Sequence, residues 1–296
     1  MDGLYQLLLA PFADYGFMRR ALVACLALAL GSGPIGVILV LRRMSLMGDA
    51  MSHAVLPGAA IGFLVAGLSL WSMTLGGIVA GLGVALLSGA VSRSTGLRED
   101  ASFAGFYLAS LAIGVSLVSL KGSNIDLLHI LFGTILAVDD QALYLVGGIA
   151  SLSTLTLLTI YRPLVLECFD PGFLGTVDGR GSLYHVVFLV LVVLNLVAAF
   201  QALGTLLAVG LMMLPAAASR FWARQVPTMA ATAIAIALLS GYVGLVASYR
   251  LGLPSGPAIV LTASLCYALS ILFGRCDGVL QRRSGGFRLS GGAACR

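Results

Sequence analysis

Charge is the scarcest commodity in this sequence. Asp, Glu, Lys and Arg make up only 10% of 296 residues, while the hydrophobic set reaches 59% and the mean hydropathy is +1.04. A soluble domain carries about a quarter charged residues, so that class is excluded. Disorder is excluded for most of the chain too, because it requires low hydrophobicity. Lysine is nearly missing: Lys121 is the one lysine among 17 basic residues. The net charge of +5 therefore reads as arginines retained beside a membrane, not as a nucleic-acid surface. Five cysteines (Cys25, Cys168, Cys266, Cys276, Cys295) lie far apart with no CxxC pair. They supply neither a disulfide framework nor a thiolate cage. There is no GxxxxGK[ST] phosphate loop, no HExxH, and no GxSxG with a triad to match. Walker-type ATP binding, zinc proteolysis and nucleophilic hydrolysis have no carrier here. The start of the chain is acidic and lacks a basic n-region, so no removable signal peptide is expected.

What the sequence does have is long apolar runs, recurring from Leu22 to Phe273. They are continuous, whereas strands of a membrane barrel alternate over about 10 residues. The expected fold is an all-α polytopic membrane protein. Against a need for about 20 residues per crossing, helices are expected near 17–41, 49–67, 71–92, 101–120, 142–161, 183–203, 204–219, 227–248 and 257–274. The 204–219 run is short, so the count is eight or nine. Residues 127–138 are apolar but too short to cross, which suits a re-entrant half-helix shielded by neighbours. Residues 1–16 are expected as an interfacial segment, 17–274 as one permeation domain, and the Gly-rich 275–296 as a flexible cytoplasmic tail. Among 37 glycines, Gly58…Gly62 and Gly77…Gly81 are spaced four apart, as close helix packing in lipid requires.

Orientation follows from arginine placement. With the N-terminus outside, 13 of the 17 basic residues fall on inner segments. The four outer ones are Arg19, Arg20, Lys121 and Arg250. That asymmetry satisfies the positive-inside rule only if 127–138 does not cross. The Arg19–Arg20 pair is its awkward member.

Ionisable groups inside a bilayer are costly and mark functional paths. In GDAMSHA, Asp49 and His53 stand at i and i+4, on one helical face one turn apart. A carboxylate beside an imidazole can hold a divalent transition metal; equally, Asp49 could only cap the helix and His53 only bond a neighbour. In NIDLLHILFG, Asp126 and His129 repeat the pairing at the start of the half-helix. Two carboxylates and two imidazoles suit zinc, manganese or ferrous iron better than copper(I). Helix boundaries place Asp49 near the inner side and Asp126 near the outer, which a shared site would have to reconcile. Asp139 and Asp140 belong to an outer loop, and His185 to the inner interface. Met212, Met213 and Met229 read as packing fillers. The inner loop 162–182 mixes acids, arginine, proline and glycine with Phe169, Phe173 and Leu174, a composition able to present an apolar face to a cytoplasmic partner.

The run VLRRMSLMGDAMSHAVLPGAAIGFL (40–64) resembles the signature of the zinc/manganese ABC-importer permeases. LREDASFAGFYLASLAIGVSLVS (97–119), DLLHILFGTILAV (126–138) and ALGTLLAVGLMMLPAAASR (202–220) agree with that family in order, and FDPGFLGTVDG (169–179) is similar to its ATPase-docking segment. It departs in carrying Gly172 where an acidic residue is common. The resemblance implies a fold similar to the vitamin B12 and siderophore permeases and a homodimer of two permease copies. It further implies separate cytoplasmic ATP-binding subunits, and a periplasmic or lipoprotein metal-binding protein that delivers the ion. The bacterial inner membrane would be its home. It assigns Asp49, His53 and Asp126 to the metal path, with His129 added from its position. It assigns Phe169, Asp170, Pro171, Phe173 and Leu174 to ATPase coupling. No permanent cofactor is implied, and the transported ion is zinc or manganese, with zinc slightly favoured by the imidazoles. The competing expectation is a metal carrier driven by an ion gradient, since membrane carboxylates and histidines can also relay protons.

Overall fold

The computed structural model describes residues 10–67, 69–97, 99–120, 139–169, 181–276 and 278–280. Among these, ten α-helices account for the regular structure: α1 (Ala10–Asp14), α2 (Gly16–Leu41), α3 (Ser45–Ala66), α4 (Leu70–Thr95), α5 (Glu99–Leu120), α6 (Asp140–Phe169), α7 (Gly181–Leu203), α8 (Thr205–Ser219), α9 (Val226–Leu251) and α10 (Ser255–Phe273). Eight of them, all but α1 and α8, are long and apolar enough to cross a membrane. The all-α expectation holds, and most boundaries fall within a few residues of the apolar runs.

Two expectations change. The ninth crossing is α8, of 15 residues. At 1.5 Å per residue it rises about 22 Å, short of a ~30 Å hydrocarbon core. It packs on α2, α7, α9 and α10 instead of standing alone in lipid. Gly204 separates it from α7 with φ 85 and ψ 165, a backbone conformation that a Cβ would strain. The inner loop expected over 162–182 is helical at both of its ends. Helix α6 continues through Pro163 to Phe169, and α7 begins at Gly181. Proline loses one helical hydrogen bond, but Leu164 directly after it is completely buried. Tertiary packing therefore carries the helix past the break.

The centre of the bundle is α2 and α7, with 67% and 72% of their spans buried, whereas α5 has only 17%. The difference shows in the residues. In α7, Asn195 is satisfied internally, its Nδ2 donating to Ser153 Oγ at 2.6 Å and to the Leu191 carbonyl at 2.9 Å. The glycine spacing does what it was expected to do. A Cβ on Gly58 would fall on the Gly76 carbonyl, and one on Gly62 on the Ser72 carbonyl, so α3 and α4 touch backbone to backbone. Gly77 faces Val55 instead, where an added Cβ would meet Cγ1 at 2.8 Å.

The two ends of the bundle differ in how charge is handled. At one end Arg20 pairs with Asp140 at 3.3 Å, both well exposed. Asp139 Oδ1 accepts from the Ala142 N–H at 2.8 Å and so caps α6. Both acids are thus engaged, and the awkward arginine has a partner. At the other end α2 closes with a Schellman-type turn: the Met44 N–H reaches the Leu39 carbonyl at 2.9 Å and the Arg43 N–H the Val40 carbonyl at 3.2 Å. Arg43 holds the left-handed position, φ 59, that glycine usually occupies. Cys25, Cys168 and Cys266 are free.

Candidate functional site

The Arg43 turn delivers the chain directly into α3. Because α3 starts at Ser45, Asp49 lies inside the helix and is not its cap; the capping alternative falls. The i, i+4 spacing brings His53 Nε2 to 3.9 Å from Asp49 Oδ1, with the two side chains 33% and 65% exposed. The His53 ring stacks on Tyr107 of α5, centroids 6.4 Å apart and planes 27° from parallel. A cavity of about 180 Å³ opens beside them, lined by Leu46, Met47, Asp49 and Ala50 from α3 and by Asp100, Phe103, Ala104 and Tyr107 from α5. A second carboxylate, Asp100, therefore shares the cavity with Asp49.

Close fitting of α5 on α3 builds this site. A Cβ on Gly114 would meet the Pro57 ring at 2.7 Å, and Ser110 Oγ donates to the Ala54 carbonyl at 3.3 Å. Pro57 has a further effect. It sits four residues after His53 inside α3 and has no N–H to give the His53 carbonyl, so that oxygen loses its helical donor. On the far side of α3, Gly48 admits the methyls of Met212 and Met213, which a Cβ would meet at 2.9 and 3.1 Å. Met229 lies with Val37, Ala216 and Ala233 in a separate apolar cluster. The methionines thus pack.

An exposed carboxylate and imidazole on the side of an apolar helix cannot face lipid without great cost. They must face water or a partner. Among the described residues no three His, Cys, Asp or Glu side chains converge on one point. Asp49 and His53 can fill two positions around a cation, with water or another chain supplying the rest. Such an open, incomplete set binds and releases.

Of the other expected residues, Asp126 and His129 lie outside the described residues, as do Asp170, Pro171, Phe173 and Leu174. Phe169 is the last residue of α6. His185, expected at the inner interface, has a side chain only 14% exposed, in contact with Arg42 and Glu167. Sequence reasoning missed Asp100 and Tyr107. Their spacing after Glu99 along one face of α5 was the available signal, but nothing in the sequence told which helix faces α3.

With this geometry in view, the chain's relatives can be placed. The chain matches the ABC 3 transport family over residues 14–274 and belongs to it. It is 34% identical over 270 residues to the manganese import system permease protein ScaB of Streptococcus parasanguinis, covering 91% of this chain and 92% of that one. It is equally 34% identical to the manganese transport system membrane protein MntC of Halalkalibacterium halodurans, covering 91% of each. A solved structure, PsaBC from Streptococcus pneumoniae in complex with Fab, matches with TM-score 0.81 and 29% identity over 96% of this chain and all of that one. The chain is thus a multi-pass transport subunit and not an enzyme, and the gradient-driven carrier is set aside. Both relatives carry manganese in their names, so the slight preference for zinc finds no support in them.

Proposed function

We propose that the chain is the permease subunit of an ATP-driven importer of divalent transition-metal ions, with manganese ahead of zinc, working by alternating access in the plasma membrane. The observation that carries this reading is the Asp49–His53 pair, 3.9 Å apart and open on the side of α3, beside a cavity that Asp100 also lines. Manganese is favoured by the relatives' names and by chemistry. One carboxylate and one imidazole, with water filling the remaining positions, leave an oxygen-dominated set, which suits a harder ion than zinc.

In this reading Asp49 and His53 replace part of the ion's water shell, and Asp100 receives it further along the same cavity. Asp126 and His129 belong to the other side of the path. A second copy of the chain completes the conduit, since among the described residues the side of α3 that carries Asp49 and His53 stays open. ATP is hydrolysed on separate subunits that dock through Phe169, Asp170, Pro171, Phe173 and Leu174. A periplasmic or lipoprotein binding protein delivers the ion. The weak grip of an incomplete site is what allows release. The test is growth of a gene deletion in chelated medium restored by single metals, with cellular metal content measured alongside. Rescue by manganese that is lost in Asp49→Asn and His53→Ala, both assembled normally, supports the reading. Rescue retained in both variants discards the ligand assignment.

A further inference from the structure

At the end of the bundle where α2 turns into α3, three helices are joined by one guanidinium. Arg42 Nη2 donates to Glu167 Oε2 at 2.8 Å, Nη1 to His185 Nδ1 at 2.9 Å and Nε to Cys168 Sγ at 3.3 Å. Its carbon lies 4.7 Å from the centre of the Phe188 ring. Side-chain exposure is 8% at Arg42, 10% at Glu167 and 14% at His185. A guanidinium only donates, so the Nδ1 of His185 must be the bare nitrogen. The 3.4 Å approach of that nitrogen to Glu167 Oε1 is then proximity and not a second hydrogen bond. Arg42 donates to groups on both α6 and α7 from the end of α2.

The placement of these residues matters more than their number. Glu167 lies in the last turn of α6 and His185 in the second turn of α7. These are the helices that run into and out of residues 170–180. Arg42 caps the end of α2, and the hydrogen-bonded Arg43 turn leads from it straight to the α3 segment that holds Asp49 and His53. Opening the joint would strand a buried charge, which resists separation of the helix ends far more than apolar contact does.

We propose that Arg42, Glu167 and His185 are positioning residues that lock the ends of α6 and α7 to the α2–α3 turn, so that displacement imposed on α6 and α7 is passed to the Asp49–His53 helix. This rests on the importer reading above. The three residues touch no ion; they make the two events one movement.

The test uses the complete transporter with its ATPase subunits in proteoliposomes, reading metal ions moved per ATP hydrolysed. Glu167→Gln and His185→Phe are expected to lower that ratio about tenfold, with basal ATP hydrolysis and the apparent KM for manganese unchanged. His185→Gln, which keeps an acceptor for Arg42, should hold the ratio near wild type. A purely structural role would instead lower assembled protein and leave the ratio alone, and that result overturns the proposal. Should the variants fail to assemble, spin labels at Arg43 and Leu183, both exposed, decide it in an otherwise native chain. Their separation is expected to stay constant between nucleotide-free and ATP-bound states. A change near one helical turn, about 5 Å, overturns it. Wild-type vesicles that hydrolyse ATP but move no metal would sink the importer reading instead, leaving the label distances to judge the lock.

Discussion

Two ionisable clusters lie on either side of the Arg43 turn, and they have been treated oppositely by the fold. Arg42, Glu167 and His185 are closed over one another, with every polar atom of the guanidinium engaged and little surface left. Asp49 and His53, one turn into the next helix, remain open and lie at 3.9 Å, beyond a hydrogen bond. Charge that is already neutralised internally can only hold structure. Charge left incomplete inside an apolar protein is available to a cation. The contrast explains why identical residue types, an acid and a histidine, read as a joint in one place and as a binding face in the other.

The contrast can be broken experimentally, and the largest effect is expected in the closed cluster. Arg42→Met leaves Glu167 buried without its guanidinium partner, which should cost about 3–5 kcal/mol of stability. Thermal unfolding of the purified transporter reads this, and an unchanged melting point would show that the cluster is wetter than its burial indicates. Asp49→Asn keeps the shape and removes the charge. Manganese uptake should fall roughly 100-fold while the melting point stays within about a degree, the loss of a ligand being at least as severe as that of an outer partner. If stability falls instead, Asp49 is structural and the two clusters are alike. Asp100→Asn should weaken uptake about tenfold, measured as initial rates at low manganese; no effect would confine the path to α3. The smallest effect is Arg43→Gly. Relief of the left-handed strain should stabilise the transporter by about 0.5–1 kcal/mol, visible as a higher melting point with uptake retained.

Much of this was legible in the chain. The apolar runs gave the crossings because lipid demands continuous helices, and the i, i+4 pair in GDAMSHA predicted two side chains on one face. Three things were not legible, each for a physical reason. Arg162 and Pro163 look like a helix stop, yet the burial of Leu164 depends on neighbours that a local reading cannot see. Asp100 and Tyr107 belong to the site only because Gly114 lets α5 close on Pro57, a contact across more than fifty residues. The engagement of His185 could not be read because its partners, Arg42 and Glu167, are distant in sequence.

The connection at Gly204 has a consequence of its own. Chain reversals normally ride on the surface, where lengthening them is harmless. Here Ala202, Leu203, Gly204 and Thr205, at the junction of α7 and α8, are all buried. Epitope insertions should therefore be accepted near Gly252, whose surroundings are exposed, and rejected at Gly204, where added residues would have to enter the packed interior.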